Sequence, residues 1–197
     1  METGERRTTL KSVRLIKPKR IGDERGWFCE TYNRQAYLAM GVEDTFVQDN
    51  HSMSAQRGTL RGLHYQIPPH DQAKLVSCLR GRIWDVVVDI RVGSPTFGHH
   101  IGVELASSNG WQLYVPTGFA HGFVTLEPDT EVAYKVTTHY APSSDAGIAW
   151  NDPGLAIKWP IGHDQPAVGQ RDMKWPRLAD ITSPFRYDGA PLVPLSE

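Results

Sequence analysis

The stretch "RGLHYQIPPHDQAKL", Arg61 to Leu75, reads as a strand, a proline-marked turn and the start of a second strand. Small β-barrels often hold a metal with a His-x-His pair on such a strand. Here His64 is present, but its expected partner is Gln66, and a lysine, Lys74, stands further along. At neutral pH a lysine is a cation with no lone pair, so beside a metal it would repel rather than bind. The stretch therefore lacks the second histidine of such a pair and offers a cation instead. It leaves the histidine free for proton chemistry.

The flanking sequence is mostly strand. "RIWDVVVDIRV" alternates in part and is rich in valine and isoleucine, and "HIGVEL", "WQLYVP", "GFVTL" and "EVAYKVTTHYA" are similar runs. The turn signals "VGSPTFG", "SSNG", "EPD" and "APSSDAG" separate them. Many short strands at near-regular spacing predict an all-β sandwich or barrel with antiparallel pairing. A short helix is predicted over Asn33–Gly41, with the asparagine as its cap and the glycine as its stop. The segment after Trp150, rich in proline and tryptophan, is expected to wrap the surface, with room for a short helix. At 197 residues, with no internal repeat or linker, the chain reads as one domain over 1–197.

A net charge of −1 and a pI near 6.7 point to neither nucleic acid nor an anionic membrane as partner. The first twenty residues are basic (Arg6, Arg7, Lys11, Arg14, Lys17, Lys19, Arg20) but lack the apolar run of a secretory signal. No stretch approaches the roughly 20 apolar residues needed to span a bilayer. Cys29 and Cys78 have no metal-motif spacing and read as two buried free thiols of a soluble, cytoplasmic protein. His51, His70, His99, His100, His139 and His163 read as surface or turn residues. The 99–100 pair points to opposite strand faces and cannot easily chelate one ion.

A second stretch matters as much as the first: "GWQLYVPTGFAHGF", Gly110 to Phe123, in which Pro116 and Gly118 shape a tight turn and His121 opens the next strand. With "GLHYQ" and "LRGRIWDV" it resembles the two-part signature of the cupin barrels, which implies a double-stranded β-helix, or jelly roll, with short flanking helices. More specifically, "DERGWFCE", "FVQDNHSMS", "GTLRGLHYQIPPHDQAKLV", "GRIWDVVVDIRVGSPTFG", "QLYVPTGFAHGF", "YKVTTHYAPSSDAGIAWNDPGLAIKWP" and "QRDMKWPRL" resemble, in order, the dTDP-4-dehydrorhamnose 3,5-epimerase family of metal-free cupins. The resemblance runs from about residue 13 to 178 and leaves 179–197 as an unexplained extension. It implies inversion of C3 and C5 of dTDP-4-keto-6-deoxy-D-glucose to give dTDP-4-keto-L-rhamnose, with no metal or organic cofactor. It also implies a homodimer in which strands are shared and the basic N-terminal segment completes the partner's site.

That chemistry needs a base, an acid on the opposite face and an electrophile for the enolate oxygen, because both carbons flank the C4 ketone. His64 titrates near neutrality, as a base should. By resemblance Asp172 orients it, Lys74 and Arg61 bring positive charge to the enolate, and Tyr134 is the acid. His121, like Arg61 among the expected substrate-binding residues, is expected to pair with an auxiliary Asp85. The resemblance also places Arg25, Phe28 and Glu30 near the base and diphosphate, Gln48 and Asn50 on the nucleotide sugar, and Tyr140 among the substrate-binding residues. Trp27 departs from the smaller aromatic more usual there.

Each residue also has a plain structural reading. His64 alone could be a satisfied core histidine, Tyr134 a packed aromatic, Asp172 a surface ion pair with Arg171, and Gln48 with Asn50 the polar face of an ordinary strand. The sequence leaves open a single-site 3- or 5-epimerase and a 3,4-ketoisomerase. A metal-dependent cupin oxygenase and a non-catalytic sugar-binding cupin fit Gln66, Lys74 and Tyr134 less well.

Overall fold

The computed structural model describes the backbone of residues 4–7 and the whole of residues 13–162 and 165–187. The expectations for the side chains of Arg6 and Arg7, for Lys11, for His163 and for the extension from residue 188 onward lie outside the described residues. The strands are β1 (Gly4–Arg7), β2 (Arg14–Lys17), β3 (Arg20–Asp23), β4 (Gly26–Cys29), β5 (Gln48–Ser54), β6 (Thr59–Gln66) and β7 (Lys74–Arg80). They continue as β8 (Arg82–Asp89), β9 (His100–Ala106), β10 (Gln112–Val115), β11 (Phe119–Thr125), β12 (Thr130–Val136), β13 (Asp145–Gly147) and β14 (Ala167–Val168). The helix α1 is Arg34–Ala39.

Two antiparallel sheets form the body, with strand orders β1-β2-β10-β7-β12-β5 and β13-β6-β11-β8-β9; the short β14 joins β6 in parallel. Their inner faces meet in one apolar cluster that includes Leu15, Val76, Leu113 and Val132 from the first sheet and Ile83, Val87, Leu105 and Phe123 from the second. This is the jelly roll that the resemblance implied.

The run Val86-Val87-Val88 does not alternate because both of its faces are buried. Val87 points into the core between the sheets, while Val86 and Val88 pack outward with Leu63, Ile148, Leu155 and Phe185 under the C-terminal segment. Each fully buried valine contributes about 1.5–3 kcal/mol, so the wrap stabilises the second sheet. Asp89 ends that strand by accepting from the Arg91 backbone N–H and from the hydroxyls of Ser94 and Thr96.

The wrap contains two 3-10 turns, Asp172–Lys174 and Leu178–Asp180. The described part of the extension is integral to it. The Val92 N–H donates to the Phe185 carbonyl (2.9 Å), the Tyr187 N–H donates to the Val92 carbonyl (3.0 Å), and Phe185 is buried against Tyr65.

Helix α1 starts where expected. Asn33 caps it, its side chain accepting from the N–H groups of Gln35 (2.9 Å) and Ala36 (3.2 Å), and Gly41 follows with φ 79°. Such a cap is worth about 1 kcal/mol. Two expectations need correction. The run "EVAYKVTTHYA" leaves the sheet at Val136, after which Thr137 turns its hydroxyl to the Ala73 N–H. Both cysteines are free, but only Cys78 is buried; Cys29, at the end of an exposed hairpin, is partly open.

Candidate active site

A cavity of about 350 Å³ opens between the two sheets. The first sheet supplies Ser52 from β5, Lys74 from β7 and Tyr134 from β12; the second supplies Arg61 and His64 from β6 and His121 and Phe123 from β11. The wrap closes it with Gly169, Gln170, Arg171 and Asp172. His64 and Tyr134 therefore face the same space from opposite sheets.

The strands come unusually close here. Gly62 sits at φ 134°, and a Cβ on it would lie 2.5 Å from Gly122 Cα. With two glycines in contact, β6 and β11 approach backbone to backbone, and His64 and His121 stand side by side in register. The same Gly62 turns its N–H to Asp172 Oδ2 at 3.0 Å. Asp172 Oδ1 lies 2.7 Å from His64 Nε2 and also accepts from Trp175 Nε1 at 3.3 Å. Burial pushes the Asp172 carboxyl up, but the hydrogen bond and charge of His64, the Gly62 N–H and Arg171 outweigh it and hold the group at about 2. It is thus a carboxylate, and His64 must carry its proton on Nε2. The other ring nitrogen is left with a lone pair.

His64 itself is held below the usual imidazole value. Burial is the main cause; Asp172 pulls the other way, and the cations Lys74 and Arg171 add to the lowering. Lys74 donates to the His64 carbonyl at 3.3 Å. Burial pushes its amine down to about 8, against the attraction of Asp85 and Asp145, with Arg171 adding to the fall. Burial raises Tyr134, opposed by Arg61 and Arg171, so its phenol keeps its proton. His121 Nε2 lies 2.5 Å from Asp85 Oδ1, as the sequence suggested; the second oxygen of this fully buried carboxylate has no hydrogen-bond partner among the described residues.

Gln66 is committed elsewhere. Its amide nitrogen donates to the carbonyls of His70 (2.5 Å) and His139 (3.4 Å), and its oxygen accepts from the Ala141 N–H (2.8 Å). The position of the second cupin histidine thus staples two loops together.

On β5, Gln48, Asn50, Ser52 and Ser54 share one partly buried face, while Asp49, His51 and Met53 are exposed. Gln48 donates to Asn50 (2.8 Å) and accepts from the Tyr140 N–H (3.2 Å), so these three substrate-binding candidates form one polar rail. Arg61 ends it, with Nε 3.3 Å from Ser54 Oγ. Arg25, Phe28 and Glu30 are not brought to this cavity within the chain. They lie on the β3–β4 hairpin, where Arg25 pairs with Asp23 at 2.5 Å, Phe28 is 69% exposed and Glu30 is also open.

Sequence reading missed Ser52, Phe123, Trp175 and Arg171. Ser52 carried a signal, since it continues the period-two face of Gln48 and Asn50. Arg171 carried only its adjacency to Asp172.

The sequence model of the dTDP-4-dehydrorhamnose 3,5-epimerase family matches residues 7–180. The chain is 46% identical over 180 residues to the dTDP-4-dehydrorhamnose 3,5-epimerase of Sinorhizobium fredii, covering 91% of each chain. It is 47% identical over 173 residues to that of Salmonella typhimurium, covering 87% of this chain and 93% of the other. A crystal structure of the dTDP-6-deoxy-D-glucose-3,5-epimerase of Legionella pneumophila in complex with dTDP-4-keto-L-rhamnose superposes with a TM-score of 0.89 at 44% identity, covering 94% of this chain and 99% of that one. With this similarity along nearly the whole chain, the protein belongs to the dTDP-4-dehydrorhamnose 3,5-epimerase family.

Proposed function

We propose that this protein inverts C3 and C5 of dTDP-4-keto-6-deoxy-D-glucose to give dTDP-4-keto-L-rhamnose, working in the cytoplasm without a metal or organic cofactor. The observation that carries the reading is the cavity in which the His64–Asp172 pair and Tyr134 face each other from opposite sheets, with the Lys74 ammonium beside them.

The lone pair of His64 removes the proton from a carbon next to the ketone. Asp172 fixes the ring and balances the imidazolium that forms. The electrons of the C–H bond move onto the C4 oxygen, where Lys74, aided by Arg61, stabilises the enolate. Tyr134 then protonates the carbon from the opposite face and recovers its own proton from water. The same groups serve the second carbon. His121, held by Asp85, lines the wall as an auxiliary group.

The Gln48, Asn50 and Tyr140 rail runs from the cavity toward where the nucleotide would lie. Arg25, Phe28 and Glu30 can join it only from a second copy, so the working form is a homodimer whose β3–β4 hairpins cross. Exposed Ile21 (58%), Trp27 (60%) and Phe28 (69%) on that hairpin favour such a contact.

Incubating the purified protein with dTDP-4-keto-6-deoxy-D-glucose and resolving the sugar couplings by NMR tests the reading. The doubly inverted sugar should form. A sugar left unchanged by folded protein, or inverted at one carbon only, would contradict it.

A further inference from the structure

Arg171 is anchored at the cavity mouth in a way that the reaction has not yet used. Its Nη1 pairs with Asp145 Oδ2 at 2.7 Å, its Nε lies 3.4 Å from Asp172 Oδ1, and its guanidinium lies 5.8 Å from the Trp175 ring centre. Its Nη2 lies 3.0 Å from His64 Nε2, the nitrogen that Asp172 already engages at 2.7 Å. The ionised Asp172 requires a proton on Nε2, so that nitrogen has no lone pair for Arg171 to bond. The guanidinium is therefore a fixed cation in contact with the ring edge, and two carboxylates keep it from swinging away.

This matters because one base is asked to work twice, an argument that rests on the double inversion proposed above. After the first abstraction His64 is an imidazolium and cannot act again until it loses that proton. Asp172 alone would hold the proton there. We propose that Arg171 is a positioning residue that empties His64 between the two abstractions: it repels the imidazolium, which passes its Nδ1 proton to a solvent water at the cavity mouth and returns to the neutral base with Nε2–H still on Asp172.

Arg171 has the access this needs, its side chain being about half exposed (51%). The other charged or titratable groups around the ring are Lys74 on β7, Asp145 on β13, His121 in register on β11, and Arg61 and Tyr134 on the cavity walls. Of these, Lys74 shares the role of Arg171 but is also the group proposed to hold the enolate oxygen, so Arg171 is the one to change.

The test compares wild type, Arg171→Gln and Arg171→Lys by two readouts. The first is the NMR titration midpoint of the His64 ring in substrate-free protein. The second is the order of deuterium entry at the two carbons during turnover in D2O. Arg171→Gln should raise the midpoint, and Arg171→Lys should restore it toward wild type. Whatever the overall rate of Arg171→Gln, exchange at the second carbon should fall behind exchange at the first about tenfold more than in wild type, the equivalent of about 1.4 kcal/mol, so that singly inverted sugar accumulates. An unmoved midpoint, or a raised midpoint with the wild-type ratio of the two exchange rates, overturns the proposal while leaving the double inversion intact. Exchange at one carbon in wild type overturns the double inversion, and this role of Arg171 with it.

Discussion

Asp172 Oδ1 lies 2.7 Å from His64 Nε2 although 108 residues separate the two in the chain. The carboxylate is held by its own local framework. The Gly62 N–H, on the same strand as His64, donates to its second oxygen, and Trp175, just past the 3-10 turn that Asp172 begins, donates to the first. The base is thus oriented by a segment that also covers the outside of the barrel, so folding of the wrap and assembly of the site are one event.

Asp172→Asn keeps the shape of the group but removes the charge that balances the imidazolium. It should lower kcat about 10²–10⁴-fold while the protein stays folded. Because Asp172 raises the His64 value, its loss should also move the acid limb of the pH–rate profile to lower pH. Steady-state rates across pH check both, and an unchanged limb would disconnect Asp172 from the base.

Burying Lys74, the proposed partner of the enolate oxygen, costs stability. Its folded value of about 8 lies below its ordinary 10.5. Between those two values the unfolded chain holds a proton that the folded protein has released, so stability rises with pH there. Below pH 8 the full cost of burying the cation is present. Lys74→Met should therefore stabilise the protein at pH 7, by about 1–3 kcal/mol in denaturant titration, while lowering kcat about 10²–10³-fold. In wild type the same ionisation should give an alkaline limb near pH 8.

Gly62→Ala should be damaging for a geometric reason. The new Cβ would meet Gly122 Cα at 2.5 Å from a backbone at φ 134°. Strain of about 1–3 kcal/mol is expected, together with displacement of the N–H that holds Asp172. A variant with wild-type melting temperature and activity would show that the strands can part there at no cost.

Much of the architecture could be read from local pattern. Period-two runs, the Asn33 cap and the proline turns are short-range signals that the folded chain respects. The Val86–Val88 run broke the alternation because a distant segment, Leu155 with Phe185, buries the face that would otherwise meet water. Strand period made the Gln48–Asn50 face legible, while His64 and Lys74 were legible through the family motif they belong to. Arg171 was not, because its meaning depends on His64 and Asp145, which reach it through tertiary folding alone. Arg25, Phe28 and Glu30 lie in the solvent on this chain, so the pattern that singled them out does not by itself bring them to the cavity.

Tyr134→Phe separates the two halves of the reaction. With His64, Asp172 and Lys74 intact, deprotonation survives, but the opposite-face proton source is gone. The variant should wash solvent deuterium into the substrate yet form little inverted product, and normal epimerisation by it would assign the acid to another group. The central measurement is the same experiment on the wild-type protein: turnover of dTDP-4-keto-6-deoxy-D-glucose in D2O, with deuterium followed at C3 and C5 by NMR and His64→Ala as control. Deuterium at both carbons of an inverted product, abolished at both in His64→Ala, is the expected result. Exchange at one carbon alone, or exchange that persists at either carbon without His64, would contradict a single base serving both.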